Sequence, residues 1–515
     1  MPLSRRALIR AGAAGLTVAA LPAAAEAAAK AAGNAAEHSA GKAAGEVTRQ
    51  SGATTAGRRA PTPADWRALD ASLDGTVELP GTASYEAARR LADPRFDGVR
   101  PPAVARCATG ADVAEVVRFA RRMGLPVVPR GGGHSYVGAS TTRTGVVLDL
   151  RRLAAVSYDA ATRSATIGGG ARLIDVYNRL GASGVAVPSG SCGSVGIGGI
   201  TLGGGIGMAA SAYGLTCDVV SAAEVVTADG RRRTVDAGRE PDLFWALRGA
   251  GGGQFGVVTA WRMRTHRAAP VGRFVLTYPW SDAARVAAGW QARLAVAPDE
   301  TWSSCQFAAD ARGRLSVRIS GVVLDGAPDA EVAAIVRAIA RDPRSAALHR
   351  RPYLEVVHDR AGCTDAASCA SRSTELIGSE IFPRVLPGAG VAALLATVER
   401  RARQRRPGVA KLKRMTGALG RVRPDATAFA WRGVHTMLQW LVESPTADPA
   451  TVADAYRWIA DGHRAVARWS AGRYVNYVEP DPALLPRYHG GHLARLRRIR
   501  AAVDPQRLFR SPYAL

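Results

Sequence analysis

The stretch Pro188–Gly207 reads PSGSCGSVGIGGITLGGGIG, and nearly half of its residues are glycine. Glycine at this density is unfavourable in a helix or a regular strand, because glycine loses more conformational entropy on folding than any other residue. The density is typical of backbone that passes close to a flat, charged ligand. We therefore predict an irregular, ligand-binding segment here.

Two further glycine-rich segments lie on either side of the first. Val127–Ser135 reads VVPRGGGHS, and a glycine turn after a strand can direct several N–H groups at an anion such as pyrophosphate. Pro241–Thr259 reads PDLFWALRGAGGGQFGVVT and contains the letters GxGxxG. These letters lead into a predicted strand, whereas a Rossmann site needs a strand before them and a helix after. The sequence therefore argues against a Rossmann nucleotide site.

In order and spacing, the three segments resemble the PCMH-type FAD-binding domain, and specifically the berberine bridge enzyme-like family. A fourth segment, which begins with YVNY at Tyr474–Tyr477, is similar to the closing segment of that family. The resemblance covers about Gly98 to the C-terminus. It implies an α+β fold, with a two-part PCMH-type FAD-binding domain and a separate substrate domain of antiparallel sheet covered by helices. The boundaries that we predict are a signal peptide over 1–27, a linker over 28–60, the FAD-binding domain over 98–270, the substrate domain over 271–470, and a C-terminal segment over 471–515 that returns to the FAD-binding domain.

The resemblance also implies which residues hold the cofactor. His134 matches the histidine that bonds to the flavin 8α-methyl carbon, and Cys192 matches the cysteine that bonds to flavin C6 in members with two covalent links. The alternative for Cys192 is a buried thiol. The glycine loops would hold the pyrophosphate and the edge of the isoalloxazine. The complete predicted set is Arg130, Gly131, Gly132, Gly133, His134, Ser135, Cys192, Gly196, Gly198, Gly199, Gly203, Gly204, Gly207 and Val258.

The expected reaction is transfer of a hydride from a substrate C–H to flavin N5, which requires a base for the substrate's hydroxyl or amine proton. Tyr474 and Tyr477 are the candidates, with Tyr474 favoured and Asn476 orienting a partner or the flavin. A tyrosine with a pKa near ~10 is protonated at neutral pH, so nearby positive charge must stabilise its phenolate. A segment ahead of these residues, Arg421–Phe429, resembles a family strand that would supply walls of the substrate pocket.

Val195 matches the family's gatekeeper position beside flavin C4a, where a small side chain leaves room for dioxygen. We therefore expect an oxidase that produces hydrogen peroxide. A dehydrogenase with another acceptor and an oxidative cyclase remain alternatives, and the substrate stays open among sugars, oligosaccharides, alcohols and secondary metabolites. A flavin-fold protein used only for binding is favoured by one feature, His492, at a position where the family usually has Asn.

The N-terminus predicts export. Ser4–Arg10 reads SRRALIR, and a short apolar stretch to Leu21 is followed by small residues. This layout is typical of a twin-arginine signal, which exports folded proteins and suits an enzyme whose cofactor is inserted first. Because the stretch is short and is followed by Pro22 and Glu26, we predict secretion without a stable membrane anchor.

The net charge of +25 raises the question of nucleic-acid binding. Arg is scattered throughout, and Lys occurs only at positions 30, 42, 411 and 413, so the charge is diffuse and we predict no nucleic-acid partner. The expected partners are a small-molecule substrate and dioxygen, with the oligomeric state left open.

Cys363 and Cys369 lie in a loop-like segment of an exported chain, which predicts a disulfide. No Cys/His spacing predicts a metal site.

Overall fold

A computed structural model describes residues 60–515, so the predicted signal peptide and nearly all of the linker lie outside the described residues. Strands in the described part form four sheets. They are β1 (Thr76–Glu78), β2 (Ala103–Arg106), β3 (Val127–Arg130), β4 (Val146–Asp149), β5 (Val156–Asp159), β6 (Ser164–Gly168), β7 (Val185–Ala186), β8 (Val220–Val226), β9 (Arg232–Asp236), β10 (Val257–Arg264), β11 (His266–Arg267), β12 (Val271–Tyr278), β13 (Thr301–Ala309), β14 (Leu315–Leu324), β15 (Ser345–Arg351), β16 (Thr374–Phe382), β17 (Gly408–Arg414) and β18 (Thr436–Ser444).

Helices connect and cover these strands. None of the helices within residues 60–515 is long and apolar enough to cross a membrane. The α-helices are Pro63–Ala71, Ala83–Arg89, Gly110–Met123, Leu173–Gly181, Ile197–Leu202, Ala210–Tyr213, Pro241–Ala246, Ala283–Leu294, Asp329–Ile339, Tyr353–Ala361, Gly388–Arg403, Ala418–Arg421, Pro449–Val466, Leu485–His489 and Leu493–Val503.

The first sheet has the order β1-β2-β4-β3, in which β2, β4 and β3 are parallel and β1 is antiparallel to β2. The helix Gly110–Met123 crosses between β2 and β3. A capping box of Thr109 and Asp112 begins it, and Gly124, in the left-handed conformation, ends it. Its apolar face is buried with the strands in one core. This crossover brings the first glycine loop, which follows β3, to the carboxyl edge of the sheet.

The other large sheets are antiparallel. The second has the order β5-β6-β10-β8-β9, and the third has seven strands in the order β15-β12-β14-β13-β17-β18-β16. Four long helices pack on the seven-stranded sheet in a core that includes Trp290, Phe307 and Trp440, all fully buried. The α+β class and the antiparallel sheet covered by helices are thus confirmed.

Two local predictions were wrong. The segment Pro188–Gly207 is not wholly irregular, because Ile197–Leu202 forms a short helix. A Cβ on Gly198 would lie 2.4 Å from the carbonyl oxygen of Gly169, so glycine is what lets this helix lie directly on neighbouring backbone. The segment Arg421–Phe429 is a series of turns rather than a strand. Its carbonyls accept hydrogen bonds from Trp245 and Arg248 instead of a sheet partner.

The predicted disulfide between Cys363 and Cys369 is present, with a Cα–Cα distance of 5.2 Å. It closes a small loop after the helix Tyr353–Ala361. A Cβ on Gly193 would lie within 3 Å of both sulfur atoms. The disulfide therefore packs against the loop that carries Cys192.

The C-terminal segment contacts the first sheet and the seven-stranded sheet. Val127 of β3 donates its N–H to Leu508 O at 2.9 Å, and Arg510 donates to Val127 O at 3.1 Å. At the seven-stranded sheet, His463 of the helix Pro449–Val466 links the sheet to the C-terminal segment. It contacts Glu380 of β16 at 2.6 Å and Glu479 of the C-terminal segment at 2.9 Å. The YVNY residues are thereby held between two sheets.

This buried histidine predicts a pH-dependent stability. Burial alone would lower the pKa of His463, but its hydrogen bonds with Glu380 and Glu479 outweigh burial and raise the pKa above its ordinary value. A raised folded-state pKa gives stabilisation that is complete below the unfolded value of about 6.5 and is lost as pH rises through the folded value. We expect His463→Gln to lower the free energy of unfolding by about 3 kcal/mol at pH 6, and by less at pH 9.

Urea unfolding of both proteins at the two pH values measures this difference. A loss that is the same at pH 6 and pH 9 would show that the charge on His463 does not contribute.

Candidate active site

A cavity of about 1620 Å³, counted with its opening to solvent, lies where the glycine loops, the YVNY segment and β17 meet. Its lining extends from the glycine loops to the seven-stranded sheet. Among its lining residues, those with polar or charged side chains are His134, Ser135, Tyr136, Ser140, Ser191, Cys192, Trp302, Arg360, Lys411, Lys413, Tyr474, Asn476, Tyr477 and Tyr513.

The cavity brings together most of the residues that the sequence singled out. Those that line it are Gly131, Gly132, Gly133, His134, Ser135, Cys192, Val195, Gly196, Gly198, Gly199, Gly207, Val258, Tyr474, Asn476 and Tyr477. Three predicted cofactor-binding residues, Arg130, Gly203 and Gly204, are not part of the lining.

These three residues contact other parts of the protein instead. Arg130 is buried, and its guanidinium pairs with Asp149 at 3.0 Å and donates to backbone carbonyls, so it supports the first glycine loop from behind. Gly203 and Gly204 make room for protein side chains, because a Cβ would lie 2.0 Å from Asn476 Oδ1 and 2.9 Å from the ring of Phe429, respectively.

The glycines of the lining allow backbone to pack on backbone. A Cβ on Gly132 would lie 2.3 Å from Gly196 N, and one on Gly207 would lie 1.6 Å from Ser189 O. Real Cβ atoms do not approach backbone so closely, so only glycine allows these loops to meet. The result is a wall built largely from main chain, which is a suitable cradle for a flat, phosphate-bearing cofactor.

His134 occupies a position that fits covalent attachment. Its Nε2 is buried and has no hydrogen-bond partner among the described residues. Burial lowers the pKa of His134 to about 4, with Arg172 adding to the decrease and a backbone hydrogen bond with Ser194 opposing it. The imidazole is therefore neutral near pH 7, which is the protonation state required of a nitrogen nucleophile.

Cys192 is exposed and lines the same cavity, so the alternative of a buried thiol is wrong. It interacts electrostatically with Arg360 and Lys413. By contrast, Cys107, Cys217 and Cys305 are buried away from the lining.

The two tyrosines of YVNY differ in their partners. Tyr474 Oη accepts hydrogen bonds from Gly205 N–H at 3.0 Å and from the Asn476 amide at 2.9 Å, and both donors are neutral. Burial raises the pKa of Tyr474 to about 12, although these two hydrogen bonds oppose the increase. Asn476 also donates to Ile200 O at 3.0 Å, so it ties Tyr474 to the short helix of the glycine segment.

Tyr477 has a lysine as its hydrogen-bond partner. Lys413 Nζ lies 2.7 Å from Tyr477 Oη and 5.0 Å from the centroid of its ring. Burial raises the pKa of Tyr477, and nearby Tyr474, Cys192 and Glu375 raise it further. Burial also lowers the pKa of Lys413 well below its ordinary value. Both shifts favour an uncharged phenol beside an uncharged amine, so Lys413 can take up a proton that passes through Tyr477.

Four cavity residues from the seven-stranded sheet and its helices were not predicted from sequence motifs, namely Trp302, Arg360, Lys411 and Lys413. Arg421–Phe429 was expected to supply walls of the pocket, but none of these residues lines the cavity. One signal was available, because the only lysines in the described part of the chain are 411 and 413. His492 also lies off the lining, where its ring is 5.2 Å from Trp245 and its Nδ1 is 3.3 Å from Ala428 O.

Comparison with known proteins identifies the class. A family model described as "FAD binding domain" matches residues 101–236, and one described as "Berberine and berberine like" matches residues 473–514. The chain belongs to the berberine bridge enzyme-like family, and it is an FAD-linked oxidoreductase.

Individual relatives agree with this assignment. An uncharacterized FAD-linked oxidoreductase of Bacillus subtilis, YgaK, is 30% identical over 419 residues, which cover 80% of this chain and 90% of that protein. The xylooligosaccharide oxidase of Thermothelomyces thermophilus is 30% identical over 448 residues, covering 81% of this chain and 87% of that protein. A solved structure of the carbohydrate oxidase of Microdochium nivale, in complex with a substrate analogue, has a TM-score of 0.79 at 25% identity and covers 87% of this chain and 99% of that one.

Proposed function

We propose that this enzyme holds one FAD covalently through His134 and Cys192, oxidises a hydroxyl-bearing carbon of a small substrate, and passes the electrons to dioxygen. One observation carries the proposal: the lysine–tyrosine pair, with 2.7 Å between Lys413 Nζ and Tyr477 Oη, lines the same cavity as both attachment residues. The proposed base and both proposed attachment residues thus line one cavity.

The chain's own groups fit this cofactor. The loops Gly131–Gly133 and Gly196–Gly199 would hold the pyrophosphate and the isoalloxazine edge, because their backbone lines the cavity. The unpartnered nitrogen of His134 and the exposed thiol of Cys192 would form the two links. When bound, the flavin supplies an acceptor for the hydride that leaves the substrate carbon.

We assign the proton transfer to Tyr477 rather than to Tyr474. Of the two tyrosines, only Tyr477 has a hydrogen-bond partner that can take up a proton, the amine of Lys413, whereas the partners of Tyr474 are amide groups. Tyr477 Oη would accept the proton of the substrate hydroxyl as it passes its own proton to Lys413 Nζ. Tyr474 and Asn476 would position the YVNY segment through their contacts with Gly205 and Ile200.

The names of the relatives suggest carbohydrates as the first substrates to try, since one is a xylooligosaccharide oxidase and another a carbohydrate oxidase. The test is an anaerobic screen of mono- and oligosaccharides and simple alcohols for bleaching of the bound flavin. We expect bleaching by at least one substrate, and one hydrogen peroxide per oxidised molecule when air is admitted. Reoxidation by an artificial acceptor but not by air would favour the dehydrogenase, and a carbon–carbon bond in the product would favour the cyclase.

Val195 is the residue through which we expect dioxygen to be admitted. It lines the cavity and is half-buried. Val195→Leu should crowd the oxygen path and slow reoxidation by roughly tenfold or more, a barrier increase of about 1.4 kcal/mol, while leaving anaerobic flavin reduction unchanged. Stopped-flow measurement of the two half-reactions separates these effects. Reoxidation of Val195→Leu as fast as in the wild type would contradict the gatekeeper role.

Secretion by the twin-arginine route is also part of the proposal, and the leader sequence at Ser4–Arg10 supports it. Changing Arg5 and Arg6 together to Lys should retain the protein inside the cell, as measured by immunoblotting of cell and medium fractions. Undiminished export of that variant would contradict this route.

A further inference from the structure

The lining of the cavity contains basic side chains and no carboxylates. Arg360, Lys411 and Lys413 all line it, and none of the lining residues is Asp or Glu. Glu375, the acid that interacts with Lys413, is not part of the lining, and its carboxylate accepts a hydrogen bond from Tyr136 Oη at 3.4 Å. A cavity with this lining attracts anions and disfavours cations.

Arg360 has no acceptor for its buried nitrogen. Its Nε is buried without a hydrogen-bond partner among the described residues, and its guanidinium carbon lies 5.3 Å from the ring centroid of Trp302, another lining residue. The carboxylate next to it in sequence, Asp359, pairs with Arg273 instead. An arginine stays charged in proteins, and leaving it partly buried without an acceptor is costly unless a ligand supplies one.

The two lysines add to the same wall. Lys411 and Lys413 are two residues apart on β17 and so project from the same face of the strand. In a chain whose basic residues are otherwise almost all Arg, these are the two lysines of the described part, and both line the cavity. Lys413 is hydrogen-bonded to Tyr477, and Lys411 and Arg360 line the same cavity.

We propose that the substrate carries a carboxylate, which Arg360 binds with support from Lys411, while its reacting hydroxyl lies at Tyr477. The substrate class is an acidic sugar, such as a hexuronate or an oligosaccharide that ends in one. The guanidinium presents parallel N–H donors that match a carboxylate, and its stacking on Trp302 fixes their plane. This inference rests on the proposed function, because it assigns the substrate of the same site.

Calorimetric titration of the holoenzyme tests the carboxylate site without requiring turnover. The probes are D-glucuronate and D-galacturonate, each matched with its neutral hexose, and an aldobiouronic acid matched with the neutral disaccharide of the same linkage. We expect at least one acid to bind 10-fold or more tightly than its neutral match. Arg360→Gln should weaken the binding of that acid by about 10- to 100-fold, which is the usual contribution of a hydrogen bond to a charged group. The same variant should weaken the binding of the neutral sugar by less than about threefold.

Two further variants make the result specific. Lys411→Gln should weaken the acid by a smaller factor, and Arg350→Gln, which removes an exposed arginine of β15, should leave both affinities unchanged. Arg360→Lys should restore part of the preference, because it restores the charge without the paired donors. If the variants at Arg360 do not fold, Lys411→Gln still tests whether the cavity prefers an acid to its neutral match.

Three outcomes would overturn the proposal: equal binding of every acid and its neutral match, equal weakening of both by Arg360→Gln, or loss of bound flavin in the variants with the acid preference intact. The last would mean that the cations serve the cofactor. Failure of the proposed function is a separate result, in which an acid binds tightly but neither it nor any other substrate bleaches the flavin.

Discussion

Tyr477→Phe should slow anaerobic flavin reduction by roughly 10²–10⁴, the usual contribution of a positioned general base. The substituted ring keeps the packing of Tyr477 between Tyr474 and Tyr136 but removes the oxygen that lies 2.7 Å from Lys413 Nζ. The dissociation constant of the substrate should change far less, because the lost interaction belongs to the transition state. Stopped-flow absorbance with any reducing substrate measures both quantities.

Tyr474→Phe is the matched control. It removes a phenol whose partners are neutral, Gly205 N–H and the Asn476 amide, so flavin reduction should stay within about tenfold of the wild type. Lys413→Met should resemble Tyr477→Phe, because Tyr477 then lacks the amine that takes up its proton. A large loss with Tyr474→Phe and none with Tyr477→Phe would assign the proton to the other tyrosine.

Gly207→Ala should have the largest effect on the fold of the site. The added Cβ would lie 1.6 Å from Ser189 O, which is backbone and cannot rotate away, so the second glycine segment must open. We expect the free energy of unfolding to fall by at least about 3 kcal/mol, the upper end of overpacking costs. The purified protein should also carry much less flavin, as measured by absorbance near 450 nm relative to protein.

Gly199→Ala is the control for this change. Gly199 lies in the same segment and lines the same cavity, but a Cβ there meets nothing within 4 Å, and alanine favours the short helix Ile197–Leu202. Its thermal stability should equal that of the wild type or exceed it. Equal behaviour of the two variants would mean that backbone contact in this segment does not hold the site together.

The parts of the site that the sequence predicted are those that short motifs encode. A run of glycines indicates that the backbone at that point lies close to another group. The loops at Gly131–Gly133 and Gly196–Gly199 do line the cavity. The same logic failed at Gly203 and Gly204, because a glycine that admits a neighbouring side chain reads the same as one that faces a ligand. A glycine-rich pattern therefore predicts a close contact of the backbone but not whether the contact is with a ligand or with a protein side chain.

The residues that the sequence did not predict depend on sheet register. Lys411 and Lys413 line the cavity because β17 pairs with β13 and β18 in a particular alignment, so that alternate side chains face one way. The position of Arg360 depends on how the helix Tyr353–Ala361 packs, and this helix is far in sequence from the glycine motifs. Such placements follow from long-range contacts, so the preference for Tyr474 over Tyr477 could not take the contact with Lys413 into account.

The most direct test of the central claim is peptide mapping of the wild-type enzyme after acid precipitation. The precipitate should remain yellow, and mass spectrometry should find FAD on peptides that contain His134 and Cys192. His134→Ala and Cys192→Ala should each keep the flavin through the other link, and only the double variant should release all of it. Free FAD in the supernatant of the wild type, with neither peptide modified, would contradict the account.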